Sequence, residues 1–139
     1  MSNVDKAREY FLKGYNCAQA VFAAWAEEMN LSEAEALRLS SSFGGGIGGL
    51  REICGAANAM FMVVGAIKGY DMPDDMDAKQ CHYKRVQSMA AQMMQEYGTM
   101  TCRDLLEQNE KDQLVAGKKP CLRYVESCAA IAEKVLKEQ

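Results

Sequence analysis

The sequence contains no stretch in which apolar and polar residues alternate over a strand's length, no CxxC pair, no block of like charge and no apolar run of bilayer length. Each absence excludes something. Without period-two alternation there is no case for a half-buried sheet. With 16 Lys and Arg against 19 Asp and Glu, a net charge of -3, the chain lacks the electrostatic footprint of a nucleic-acid binder. The longest apolar stretch, ICGAANAMFMVVGAI from Ile53 to Ile67, is shorter than the roughly 20 residues a spanning helix needs, so no membrane span is expected. The opening MSNVDKAREYF carries charges of both signs and no apolar core of a signal peptide, which makes a cytoplasmic protein the expectation. Tight local cysteine pairs of the kind found in zinc ribbons and bacterial ferredoxins are missing.

What is present is apolar spacing of three and four almost throughout. It predicts an all-α fold: a single-domain helical bundle (1–139) of about six to seven helices around a central apolar helix, with a Gly-rich turn before it. The expected helices run over about 4–13, 17–30, 33–41, 51–68, 74–97 and 102–108, with a last one from Pro120 to near Lys137. Asn16 with Gln19 and Ser32 with Glu35 have the pattern of capping boxes, and Gly14 and Gly98 are placed to end helices. NEKDQLVAGKK reads as a polar connection. Trp25 and the pair Tyr10/Phe11 read as core, and the ten methionines read mostly as adaptable core filler. The segment MMQEYGTM suggests an apolar patch through which two copies could form a homodimer.

On this map Cys17, Cys102 and Cys121 fall at the first or second position of a helix, and Cys54 falls in the first turn of its own. A helix start presents unpaired N–H groups and about half a positive charge, an environment that favours thiolate, the form that attacks disulfides and binds metals. The four lie 37, 48 and 19 positions apart, so only the fold can bring them together. Spacing leaves two readings open, a shared site or four small buried hydrophobes. Cys81 and Cys128 sit inside helices; Cys81 reads as incidental, and Cys128, two turns after Cys121, as a buried residue or a spare ligand. His82, the only histidine, lies on the apolar face of its helix and reads as a boundary residue before a ligand.

Gly44, Gly46 and Gly49 spell GxGxxG, but a dinucleotide loop needs a strand before it and a helix after it, and LRLSSSF before the glycines reads as helix. A sterically bare turn that starts the central helix and sets Cys54 beside the other thiols fits better. Its N–H groups could hydrogen-bond thiolates or sulfides. Arg51 and Glu52 beside it read as a surface pair, with Arg51 also placed to support a thiolate; Tyr15 and Asn16 could line the same pocket.

The runs GYNCAQAV, FGGGIGG leading into ICGAANA, TCRDLL and KKPCLRYV resemble the C_GCAxxG_C_C family of redox-active proteins over nearly the whole chain. The resemblance maps the family's four cysteines onto Cys17, Cys54, Cys102 and Cys121. It implies a redox centre built from these four, either an iron–sulfur cluster, such as [2Fe–2S], that passes electrons to a redox partner, or a metal-free thiol/disulfide site. Relatives joined to c-type haem modules imply electron-transfer company, although this chain has no CxxCH of its own. A structural zinc site, or a helical interaction module with no cofactor, is the alternative. The chain departs from the family pattern at Ala59, where the motif has its last glycine.

Overall fold

The computed structural model of the chain describes residues 1–112 and 121–138. Among them are seven α-helices: α1 Asn3–Lys13, α2 Cys17–Ala23, α3 Glu33–Ser40, α4 Gly55–Lys68, α5 Met76–Tyr97, α6 Cys102–Asp112 and α7 Leu122–Lys137. The fold is all-α, as expected, and no described helix is long and apolar enough to cross a membrane. Pro120 and the second half of the expected polar connection lie outside the described residues.

The helix starts follow the local chemistry. Asn16 and Ser32 each accept from the backbone N–H three residues on, and Gln19 and Glu35 return the bond, so both capping boxes form. Ser2 and Asp5 form a third, which places the start of α1 one residue earlier than the sequence suggested. Gly14 (φ 114°) and Gly98 (φ 76°) close α1 and α5 in the left-handed conformation.

α4 is the central helix. It packs against α2 and α7 and more lightly against α5, and Gly55, Ala56, Ala57, Ala59, Met60, Val63 and Val64 are all buried on it. Small residues on its first two turns let α2 and α7 approach closely, and α1 closes the far side against both. Tyr124, fully buried on α7, donates its hydroxyl hydrogen bond to Leu105 O (2.7 Å), tying α6 to the core.

Three boundaries differ from expectation. The second helix ends at Ala23, not Asn30, because the N–H groups of Trp25 and Ala26 reach back only three residues, to Phe22 O and Ala23 O, as Trp25 turns into the core. The central helix starts at Gly55, not Arg51: residues 51–54 lie alongside 100–103, with Cys54 N–H bonded to Met100 O (2.7 Å), Cys102 N–H to Glu52 O (2.6 Å) and a bridge between Ile53 and Thr101. Partners four residues apart in a helix are replaced by partners about 50 residues away, which no local pattern signals. α6 continues to Asp112. On α5, Met93 is buried while Met94 is 44% exposed, so the methionines of MMQEYGTM divide between core and surface.

Ala59 is fully buried in the middle of α4. Its methyl fills space between packed helices, and restoring the motif's glycine there should cost about 1–2 kcal/mol from lost helix propensity and a buried methyl. Urea unfolding of Ala59→Gly against the parent checks this.

Candidate functional site: four thiols at four helix starts

Cys17 is the first residue of α2 and Cys102 the first of α6, while Cys54 and Cys121 are the N-cap residues of α4 and α7. These four helix starts lie together. Cys17 and Cys121 are within electrostatic reach of Cys102, and Cys54 is within reach of Cys17 and Cys121. Cys54 and Cys102 are buried and Cys17 and Cys121 half-buried, all as free thiols.

The glycine loop makes this approach sterically possible. Residues 45–49, GGIGG, all have left-handed φ between 56° and 82°, and Arg51 has φ 62°. Ile47 is the costly member, since a β-branched residue is rarely left-handed. Long backbone bonds hold the loop: Gly48 N–H to Ser42 O (2.7 Å), Arg51 N–H to Gly45 O (3.0 Å) and Glu52 N–H to Gly46 O (2.9 Å). Two of the glycines carry a second duty. A Cβ on Gly46 would lie 2.6 Å from Cys102 Cβ, and one on Gly55 would lie 2.5 Å from Phe43 O and 2.8 Å from Cys17 Sγ. Gly44 in turn gives way to the amide of Asn16, which caps α2 beside Cys17.

The electrostatics correct the expectation of ready thiolates. Burial raises the Cys17 thiol, with N–H groups of Gly45, Ala56 and Ala18 offsetting part of the effect and Cys102 adding to it. Burial pushes Cys54 up to about 12, reinforced by Cys17 and Cys121 and opposed by the N–H groups of Ala57 and Ala56. Cys121 also rises to about 12, first by burial and then by Cys17 and Cys102, with Arg51 and Arg123 pulling the other way. The helix starts do act as expected in sign, but taking a charge out of water costs more than a partial dipole charge returns.

The remaining candidates are placed elsewhere or behind the site. Cys128 is fully buried on α7, with Sγ 3.7 Å from Met93 Sδ, and is raised well above its ordinary value by burial and then by Cys54 and Cys17, so it backs the four thiols from the core side. Cys81 is exposed on α5, beside Arg85. His82 sits with Nε2 3.8 Å from where a Cβ on Gly65 would be, ten residues into α4 and so about 15 Å from its cysteine end. Its Nδ1 is 3.0 Å from Arg85 Nη1, its ring lies 6.2 Å from Tyr70, and burial and the Arg85 charge lower its pKa; it is a boundary residue, not a member of the site. Arg51 is drawn toward the thiols, with Nη1 3.7 Å from Cys102 Sγ.

Among the described residues, no group of three or more His, Cys, Asp or Glu side chains is placed to hold a metal ion. A tetrahedral zinc would need each sulfur at about 2.3 Å from one centre. As they stand, the four thiols do not make that single shell.

A family model described as "Putative redox-active protein (C_GCAxxG_C_C)" matches residues 15–135. No curated protein and no solved structure matches the chain.

Gly55→Ala should destabilise the protein by about 1–3 kcal/mol through overpacking and change the reactivity of Cys17, whereas Gly49→Ala, with nothing within 4 Å of its added Cβ, should cost only its left-handed backbone and leave the thiols alone. Urea unfolding with alkylation mapping separates the two. The raised thiols also set a pH dependence. The folded values of Cys54 and Cys121, about 12, stand above an ordinary value of 9.0, so the unfolded chain loses these protons first. Their contribution is complete below about pH 9 and is lost as pH rises toward 12, at up to about 1.4 kcal/mol per pH unit for each thiol. Urea midpoints of the reduced, metal-free protein should fall across that window, and less steeply in Cys54→Ala.

Proposed function

The chain belongs to the C_GCAxxG_C_C family, and from that premise we propose that Cys17, Cys54, Cys102 and Cys121 together hold an iron–sulfur cluster of the [2Fe–2S] type and that the protein carries electrons. The observation behind this reading is the meeting of four thiols from four separate helix starts around a loop with bare α-carbons. Four thiolates are the ligand complement of such a cluster.

The chain's own groups would do the rest. Burial of Cys54 and Cys102 keeps water from the sulfurs, and the N–H groups of Gly45, Ala56 and Ala57 are directed at Cys17 and Cys54, where they offset negative charge. The same burial that raises Cys17, Cys54 and Cys121 makes these three slow nucleophiles near neutral pH, because the thiolate is the attacking form in disulfide exchange. A cation bound among them removes that obstacle, since a coordinating thiol is deprotonated outright. This weighs against an autonomous thiol/disulfide cycle. When bound, the cluster would supply one-electron transfer.

Protein purified without oxygen should contain two irons and two sulfides per chain, show a visible absorption that bleaches on reduction, and lose both with Ser at any one of the four cysteines but not with Cys81→Ser. Stoichiometric zinc without a redox change would replace this reading with a structural metal site. Colourless protein that reversibly forms disulfides among the four would replace it with thiol/disulfide chemistry.

A further inference from the structure

We propose that Arg51 is a positioning residue of the four-cysteine centre, a fixed positive charge held against Cys102 that sets how readily the centre takes on negative charge. The inference rests on reading the four thiols as one redox centre.

Two features of the structure single this residue out. The first is contact: Arg51 Nη1 lies 3.7 Å from Cys102 Sγ, within reach of an N–H donor to sulfur, and the same charge also favours the ionised form of Cys121. The second is the backbone that delivers it. Arg51 is held at φ 62°, a conformation glycine would adopt without strain, in a loop where glycine is otherwise used freely. Its N–H is bonded to Gly45 O (3.0 Å) and its carbonyl accepts from Arg103 N–H (3.4 Å), while Glu52 is bonded on both sides, to Gly46 O and from Cys102 N–H. The peptide carrying the guanidinium is thus bonded directly to the segment carrying the thiol.

The fold keeps a strained arginine at this position, and what the strain secures is a cation at a sulfur. Arg123 acts on Cys121 as well, but it is stacked over Tyr97 and Tyr124 and donates to Tyr124 Oη (2.9 Å), so its position follows from core packing. Arginine cannot give up its proton in a protein, so the charge at Cys102 is constant with pH. At 3.7 Å from the sulfur it favours whichever state of the centre is more negative.

The test uses the full chain with Arg51→Gln, Arg51→Lys and Arg51→Gly. In reduced, metal-free protein at one pH, alkylation of Cys102 and Cys121, mapped by mass spectrometry with Cys81 as internal reference, should slow by about tenfold in Arg51→Gln, a factor in keeping with one partly screened charge a few ångströms away. Arg51→Lys should recover most of the rate. Arg51→Gly, which relieves the backbone, should be as slow as Arg51→Gln, whereas a merely structural residue would give no loss in that variant. In iron-loaded protein the same tenfold change lowers the one-electron potential by about 59 mV in Arg51→Gln. Alkylation rates equal to the parent in Arg51→Gln, or a Lys variant no faster than Gln, would overturn the inference. If no variant holds iron while the alkylation order stands, the cluster reading fails and the role of Arg51 survives.

Discussion

A methyl group at residue 55 would lie 2.8 Å from the sulfur of Cys17, and one at residue 46 would lie 2.6 Å from the Cβ of Cys102. Real Cβ atoms do not approach that closely, so the convergence of the thiols depends on two α-carbons that carry no side chain. Gly55 admits Cys17 to the start of the central helix, and Gly46 admits the start of α6 to the glycine loop. The backbone bonds between residues 51–54 and 100–103, with the bridge of Ile53 to Thr101, then fix the register between the loop and α6. Left-handed backbone from residue 45 to 49 is the conformational cost of folding the chain so tightly there, and Ile47 bears the largest share of it.

Two electrostatic effects of opposite sign meet at the site. Each thiol stands at a helix start, where free N–H groups favour negative charge by a fraction of a kcal/mol to about 1 kcal/mol. Each of the three whose ionisation is shifted is also withdrawn from water, and each of these feels at least one other cysteine of the set, which opposes ionisation. Burial wins at Cys17, Cys54 and Cys121, whose thiols are held protonated near neutral pH and are slow to attack disulfides in that form. Arg51 and Arg123 oppose that effect at Cys121, and Arg51 also lies against Cys102.

Much of this was legible in the sequence, because helix signals are local. The capping boxes at Asn16 and Ser32, the closing glycines and the apolar face of α4 are each read within one or two turns, and all stand in the structure. The placement of Cys17 and Cys102 at helix starts followed from the same signals. What was not legible was non-local. The end of α2 depends on Trp25 turning into a core assembled from other helices, and the late start of α4 depends on a backbone partner near residue 101. The left-handed backbone at Cys121 (φ 76°) is likewise marked by no glycine or asparagine in the sequence. Thiol ionisation was misjudged because the dipole at a helix start is visible in a sequence and depth of burial is not. The glycine run was expected to form a sterically bare turn near the thiols, and coordinates add which α-carbons matter, Gly46 at Cys102 and Gly55 at Cys17.

The claim on which the account stands is that sulfurs from four distant parts of the chain face one another. A short bifunctional thiol reagent such as dibromobimane, added to reduced, metal-free protein and followed by peptide mapping, reads this directly without reference to any cofactor. The account predicts cross-links between pairs drawn from Cys17, Cys54, Cys102 and Cys121 and none to Cys81. Cross-links that join Cys81 to any of the four as readily as the four to one another, or single modifications with no bridge among them, would contradict it.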